Sequence, residues 1–135
     1  MRTYQVVTPA STYPVSLTET KLHLKVDINT DDTLITNLII AATQVSEEYT
    51  NRFFIDTVIN QTCSNIVDRI DAVECKYTVG YGAASDVPDA IKQAILLTIG
   101  NWYENRMSVI TGKTTTEMPM SAKWLLETYK IQVVR

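Results

Sequence analysis

The chain has 135 residues, which is enough for one domain with a hydrophobic core but too few for two. Hydrophobic residues make up 45% and charged residues 20%, a balance typical of soluble globular proteins. The net charge of −3 argues against a protein that grips nucleic acid along a broad surface. The longest strongly apolar run, Leu38 to Ala42, is far too short to span a bilayer, and residues 1–7 lack the apolar core of a signal peptide. We therefore expect a protein made in the cytoplasm, with no membrane partner.

The N-terminal part predicts an extended segment over residues 1–15, followed by a short helix. Ser16 and Glu19 have the spacing of a capping box, in which each side chain bonds a backbone N–H at the helix start. Apolar faces for this helix come from Leu17, Leu22, Leu24 and Val26. The only histidine, His23, is interpreted as a partly exposed helix residue rather than a ligand.

A second helix is predicted from Thr33 to about Tyr49, after an acidic joint at Asp27 to Asp32. The joint lacks the glycine and the later glutamate of a calcium-binding loop, so it is interpreted as a turn with Asp31 or Asp32 as the helix cap. The apolar stripe of the helix consists of Leu34, Ile35, Leu38, Ile39, Ala42, Val45 and Tyr49. Near its end, Glu47 and Glu48 are expected to be solvated, and Asn51 is a plausible left-handed stop.

Two segments in the middle of the chain alternate in the manner of strands. Apolar residues alternate with others between Phe53 and Cys63, and more cleanly between Val73 and Tyr81. The intervening residues, 64–72, fit either a helical turn or a loop. The two strands together predict a small antiparallel hairpin with one buried face.

The longest helical pattern runs from Val87 to Met107 and carries two apolar faces. One consists of Ile91, Ala94, Ile95, Thr98 and Trp102, and the other of Leu96, Ile99, Tyr103 and Met107. Pro88 suits a first helical position. Such a helix needs neighbours on two sides, and it is interpreted as the central core helix, with a subunit interface as the alternative. Gly100 inside it hints at close approach by another element.

The C-terminal part predicts a flexible, threonine-rich loop over residues 108–120 and a last helix from Ala122 to about Lys130, capped by Ser121. The fold class predicted from the sequence is therefore mainly α. It is a single four-helix domain over residues 1–135, with a small antiparallel β-hairpin between the second and third helices.

No catalytic, cofactor or metal site is predicted. A chain with one histidine can build a nucleophile–histidine pair only around His23, which has no oxyanion-hole motif nearby. Cys63 and Cys75 lack the spacing of a zinc site and are expected to be buried free thiols. Paired acids at helix ends are explained by capping and solvation. We expect no enzyme and no cofactor.

The order of several segments resembles the small head–tail connector proteins of tailed phages, also called adaptor or head-completion proteins. Those segments are LTETKLHLKVD, DDTLITNLIIAATQVSEEYTNR, YTVGYG and VPDAIKQAILLTIGNWYENR, then a loop ending in MP and LLETYK. The piece from Trp102 to Arg106 is the most specific. One departure is the short span from Phe53 to Lys76, where many relatives carry a longer β-rich insertion.

The resemblance implies a structural virion protein without enzymatic activity. Its partners are copies of itself in a ring, typically of twelve, the phage portal protein, and the next neck or tail-completion protein. DNA passes through the channel without sequence-specific binding. A small helical DNA-binding module, built on the helices around Asp27 to Asp32, is kept as an alternative, as is another neck component such as a head-closure or tail-completion protein.

Interface residues are predicted on the same basis. Trp102, Tyr103 and Arg106 are interpreted mainly as packing and inter-helix residues, with direct partner contact as the alternative. Contacts between subunits or with the portal are expected from the loop and the last helix, namely from Thr111, Gly112, Lys113, Thr114, Thr115, Thr116, Glu117, Lys123, Trp124, Tyr129 and Lys130.

Overall fold

The computed structural model describes residues 4–63, 73–105, 109–110, 113–114 and 118–132. Its helices are α1 (Leu17–Leu24), α2 (Asp32–Thr50), α3 (Asp89–Glu104) and α4 (Met120–Glu127). Its strands are β1 (Tyr4–Thr8), β2 (Thr57–Cys63), β3 (Val73–Val79), β4 (Val109–Ile110) and β5 (Lys113–Thr114). The predicted fold class, mainly α with a small antiparallel β element, is confirmed.

Helix α1 begins with the predicted capping box. The Glu19 N–H donates to Ser16 Oγ at 3.2 Å, and the Ser16 N–H donates to Glu19 Oε2 at 2.9 Å. These hydrogen bonds to Ser16 hold the pKa of the Glu19 carboxyl below its usual value. The helix ends at Lys25, which adopts the left-handed conformation with φ of 56°. Leu22 lies on the outer face of the helix and is 80% exposed, so its apolar side chain does not join the core.

Helix α2 has the predicted extent within one residue at each end, and Asn51 ends it in the left-handed conformation, as predicted. Ile35, Ile39 and Ala42 from the predicted stripe are buried. The expectation that Glu47 is solvated was wrong. Its side chain is half-buried because it turns back to accept the Phe54 N–H at 2.8 Å. Burial raises the pKa of this carboxyl.

The sheet has three strands rather than the predicted two, in the order β1–β2–β3. The hairpin of β2 and β3 forms as predicted, and the extended N-terminal segment adds β1 antiparallel to β2. One cross-strand row joins Val6, Ile59 and Tyr77. Strand β2 begins at Thr57 instead of Phe53, because the chain first turns inward to bury Phe54 and Ile55 in the core.

Gly80 directly follows β3, where the chain passes close to the backbone of Phe54 and Ile55. The Tyr81 N–H bonds the carbonyl of Phe54 at 3.1 Å, which draws the two chain segments together. A Cβ on Gly80 would lie 2.6 Å from the carbonyl carbon of Ile55, and the residue has φ of +139°. Only glycine meets both conditions without strain.

Helix α3 is the central helix of the domain, since it contacts α1, α2 and α4. Its buried residues are Ile91, Ala94, Ile95, Thr98 and Ile99. Pro88 is the N-cap rather than the first helical residue. The close approach suggested by Gly100 is found, because His23 and Leu24 of α1 pack over this glycine.

Helix α4 starts at Met120 with Pro119 as its N-cap, so Ser121 lies inside the helix instead of capping it. The helix ends at Glu127, three residues before the predicted end. Ala122 and Leu126 are its buried residues. None of the helices in the described ranges is both long and apolar enough to cross a membrane.

Candidate interaction surfaces

Trp102 and Tyr103 lie in the last turn of α3 and are half-buried against the core. The Tyr103 hydroxyl donates to Asp31 Oδ2 at 2.6 Å. This bond joins the end of α3 to the start of α2. It also explains why Asp31 occupies the N-cap position of α2 without using its side chain as a cap. The placement agrees with the packing interpretation of these two residues. Direct contact with a partner stays a prediction.

The loop predicted over residues 108–120 contains two very short strands. Strands β4 and β5 pair antiparallel, with Val109 opposite Thr114 and Ile110 opposite Lys113. Those predicted interface residues that lie outside the described part of the chain are Arg106, Thr111, Gly112, Thr115, Thr116 and Glu117.

Helix α4 presents an exposed apolar pair, Met120 and Trp124, which we call the α4 patch. The two residues are one helical turn apart, and their side chains are 81% and 79% exposed. An open groove of about 420 Å³ runs along them. Its walls are completed by Tyr49, Ser121, Lys123 and Glu127. Trp124 was among the predicted interface residues, whereas Met120 was assigned to the loop. The four-residue spacing from Met120 to Trp124 was the signal for it.

The groove is fixed by contacts between α4 and the end of α2. The Tyr49 hydroxyl donates to Glu127 Oε2 at 2.5 Å, and this bond raises the pKa of the tyrosine. Lys130 Nζ lies 4.6 Å from the centre of the Tyr49 ring, within the range of a cation–π contact. This contact of Lys130 is within the subunit, and its predicted contact with partners stays a prediction.

The residues after α4 are tied to the same end of α2. Arg52 Nε donates to the carbonyl of Tyr129 at 2.8 Å, and the Ile131 N–H donates to the carbonyl of Thr50 at 2.9 Å. Tyr129, also a predicted interface residue, is half-buried and packs against the core. These bonds make the C-terminal segment part of the scaffold that holds the α4 patch in place.

A second exposed apolar pair, Leu22 and Ile28, lies on α1 and the joint that follows it. We call this pair the α1 patch; the side chains are 80% and 61% exposed. An open cleft of about 510 Å³ adjoins Leu22, with Lys25 and Asp27 on its walls. Sequence reasoning did not select these residues, because Leu22 was assigned to a packing face of the helix and Ile28 to a polar turn.

Lys21 holds this region against α2. Its Nζ lies 2.8 Å from Asp32 Oδ1 and 2.8 Å from Asn29 Oδ1. The contacts close the acidic joint onto the first turn of α2, and they place the α1 patch beside the N-terminal end of that helix.

An open cleft of about 690 Å³ lies between the sheet and the C-terminal end of α2. Half of its lining residues are apolar or aromatic, including Phe53, Ile59 and Tyr77, and most of the others are polar or charged. Glu47 lines it, but the carboxylate is engaged by the Phe54 N–H. Within the described ranges, no three His, Cys, Asp or Glu side chains are grouped so as to hold a metal ion. The α1 patch and the α4 patch offer mainly apolar and aromatic contact, whereas the cleft between the sheet and α2 is mixed in character.

Comparison with known proteins places these surfaces in context. The family model described as "Phage gp6-like head-tail connector protein" matches residues 14–130. A solved structure described as "Neck of empty GTA particle computed with C6 symmetry" superposes with a TM-score of 0.72 at 17% identity, covering 98% of both chains. Another, described as "Virion of native gene transfer agent (GTA) particle", gives a TM-score of 0.72 at 15% identity, with the same coverage. Among curated protein sequences, none matches the chain. The two structures share the fold of this protein.

Proposed function

From the premise that the chain belongs to the phage gp6-like head–tail connector family, we propose that it forms a ring on the portal at the head vertex. Its place is the head–tail interface of the virion, where it is a structural protein. In the proposed ring, typically of twelve copies, it extends the DNA channel and presents a platform for the next neck or tail-completion protein. The observation that carries this proposal is the family match over residues 14–130.

The fold supports a role in assembly. The four most exposed large apolar side chains, Leu22, Ile28, Met120 and Trp124, lie on or next to the short helices α1 and α4, which are held to α2. Rigid, mostly uncharged surfaces lose little conformational entropy when they bind a partner. Residues 1–135 then act as a single connector domain, and the segment 111–117 together with 123–130 supplies contacts to subunits or to the portal.

The charge of the chain supports a channel through which DNA slides. Its net charge is −3, and a strongly basic lumen would instead bind phosphates and slow the passage of DNA. The alternative of a DNA-binding module has less support, since the joint between α1 and α2 is acidic and closed by Lys21. We propose that the protein performs no catalysis.

The test is to mix the purified protein with its cognate portal ring and to image the product by electron microscopy. We expect a ring of density on the portal, coaxial with its channel. Absence of any complex across a range of salt concentrations would contradict the proposal. Duplex DNA binding that falls steeply with salt would instead support the alternative.

A further inference from the structure

The most exposed large apolar side chains in the described part of the chain fall into two pairs. Leu22 and Ile28 are 80% and 61% exposed, and Met120 and Trp124 are 81% and 79% exposed. Single apolar side chains on a surface are ordinary, but a tryptophan beside a methionine on one helix face marks a contact site. Leu22 also borders an open cleft, and Met120 and Trp124 both line an open groove.

The two pairs lie at opposite ends of α2. The α1 patch is tied to the first turn of α2 by the ion pair of Lys21 with Asp32. The α4 patch is tied to its last turn by the bond of Tyr49 with Glu127. Asp32 and Tyr49 are separated by about 25 Å along the helix axis, at about 1.5 Å per residue. In the described residues α1 and α4 make no contact with each other. The patches therefore cannot cover one another within a single copy.

Charged groups of opposite sign border the two patches. Lys25 and Asp27 flank the cleft of the α1 patch, and Glu127 and Lys123 flank the groove of the α4 patch. Facing each other, the patches can set Lys25 against Glu127 and Asp27 against Lys123. Such pairs add little affinity at an exposed rim, but they favour one register of the α4 patch on the α1 patch.

We propose that the α4 patch of one subunit packs against the α1 patch of the next copy in the ring. The inference rests on the proposed function, because a closed ring needs two different, mutually complementary patches on every subunit. Each patch has only two such side chains, which is far less area than the ~800 Å² that each partner buries in a stable complex. Free copies therefore associate weakly, and the portal completes the ring.

The decisive experiment places the photo-cross-linking residue benzoylphenylalanine at position 124 in assembled particles. Irradiation is expected to give a band at twice the chain mass of 15.2 kDa, and mass spectrometry is expected to locate the bond within residues 18–28. A separation of about 25 Å along α2 excludes the same bond within one copy. The matched control carries the photo-reactive residue at Gln93, which is exposed on α3 outside both patches, and is expected to give no bond to residues 18–28.

Two substitutions provide an independent measurement. Trp124→Asp and Leu22→Asp change exposed side chains, so both variants are expected to keep the wild-type circular dichroism spectrum. Loss of one apolar anchor is expected to reduce the yield of tailed particles by roughly tenfold or more. The control Gln93→Asp is expected to leave the yield unchanged.

The outcomes separate this inference from the proposed function. A cross-link from position 124 to the portal or to another neck protein overturns the pairing of patches but retains the connector. The pairing is also overturned by wild-type yields from both Asp variants. Particles that contain none of the protein would contradict the proposed function itself.

Discussion

Replacement of Gly100 by alanine is expected to stabilise the protein. Gly100 lies inside α3, where glycine costs about 1 kcal/mol relative to alanine. A Cβ at this position would lie 3.6 Å from His23 Nε2 and 3.9 Å from Leu24 Cδ2, both ordinary van der Waals distances. The methyl group therefore fits between α3 and α1 without moving either helix. It also adds apolar contact with Leu24.

The gain can be expressed as a shift of the midpoint of thermal unfolding. An unfolding entropy of about 2.1 cal/mol/K per residue gives about 0.28 kcal/mol/K for a chain of 135 residues. A gain of about 1 kcal/mol then raises Tm by about 3–4 °C. Differential scanning calorimetry at fixed pH and protein concentration measures this shift directly.

Gly80→Ala is the matched substitution of opposite sign. The positive φ and the approach to Ile55 predict a loss of at least about 2 kcal/mol, because strained backbone and a steric clash act together. A Tm that is unchanged or lower for Gly100→Ala would refute the described packing of α1 on α3. Equal changes of Tm for the two substitutions would refute the expected backbone strain and steric clash at Gly80.

Three further outcomes are expected. Burial raises the pKa of the Glu47 carboxyl, so the folded protein binds the carboxyl proton more tightly than the unfolded chain, and the wild type loses stability as pH rises above the usual value of 4.5. Glu47→Gln lacks this titration and should therefore be more stable than the wild type above that pH, with no gain below it. Urea titrations at several pH values measure the difference. Ser16→Ala should cost about 1 kcal/mol through loss of the α1 cap, whereas Ser11→Ala, outside any helix, should be neutral in the same titrations. Deletion of Gly112–Glu117 should leave the circular dichroism spectrum unchanged but impair docking on the portal, and a deletion variant that completes heads normally would refute that assignment.

The helices were predictable because their signals are local. The capping box at Ser16 and the left-handed conformation of Asn51 each depend on only four or five neighbouring residues, and both predictions are confirmed. The third strand was missed because β1 pairs with a segment about fifty residues away, and its own sequence shows only a short extended pattern. Pro88 was predicted as the first helical residue but is the N-cap of α3, since the two positions differ only in backbone angles. At α4 the predicted cap, Ser121, lies inside the helix, because the helix begins earlier, after Pro119.

The candidate site was less predictable, because exposure depends on which face of a helix the core occupies. Trp102 and Trp124 both lie on amphipathic helices, yet one is half-buried and the other 79% exposed. The difference arises because Ala122 and Leu126 of α4 face the core, which turns Trp124, two residues from each, to the opposite side. A short helix with small or aliphatic residues on one face and large apolar residues on the other has two surfaces to cover. One of them is covered within the domain, and the other, with Met120 and Trp124, is exposed; its contact with a second molecule is the prediction that the cross-link from position 124 tests.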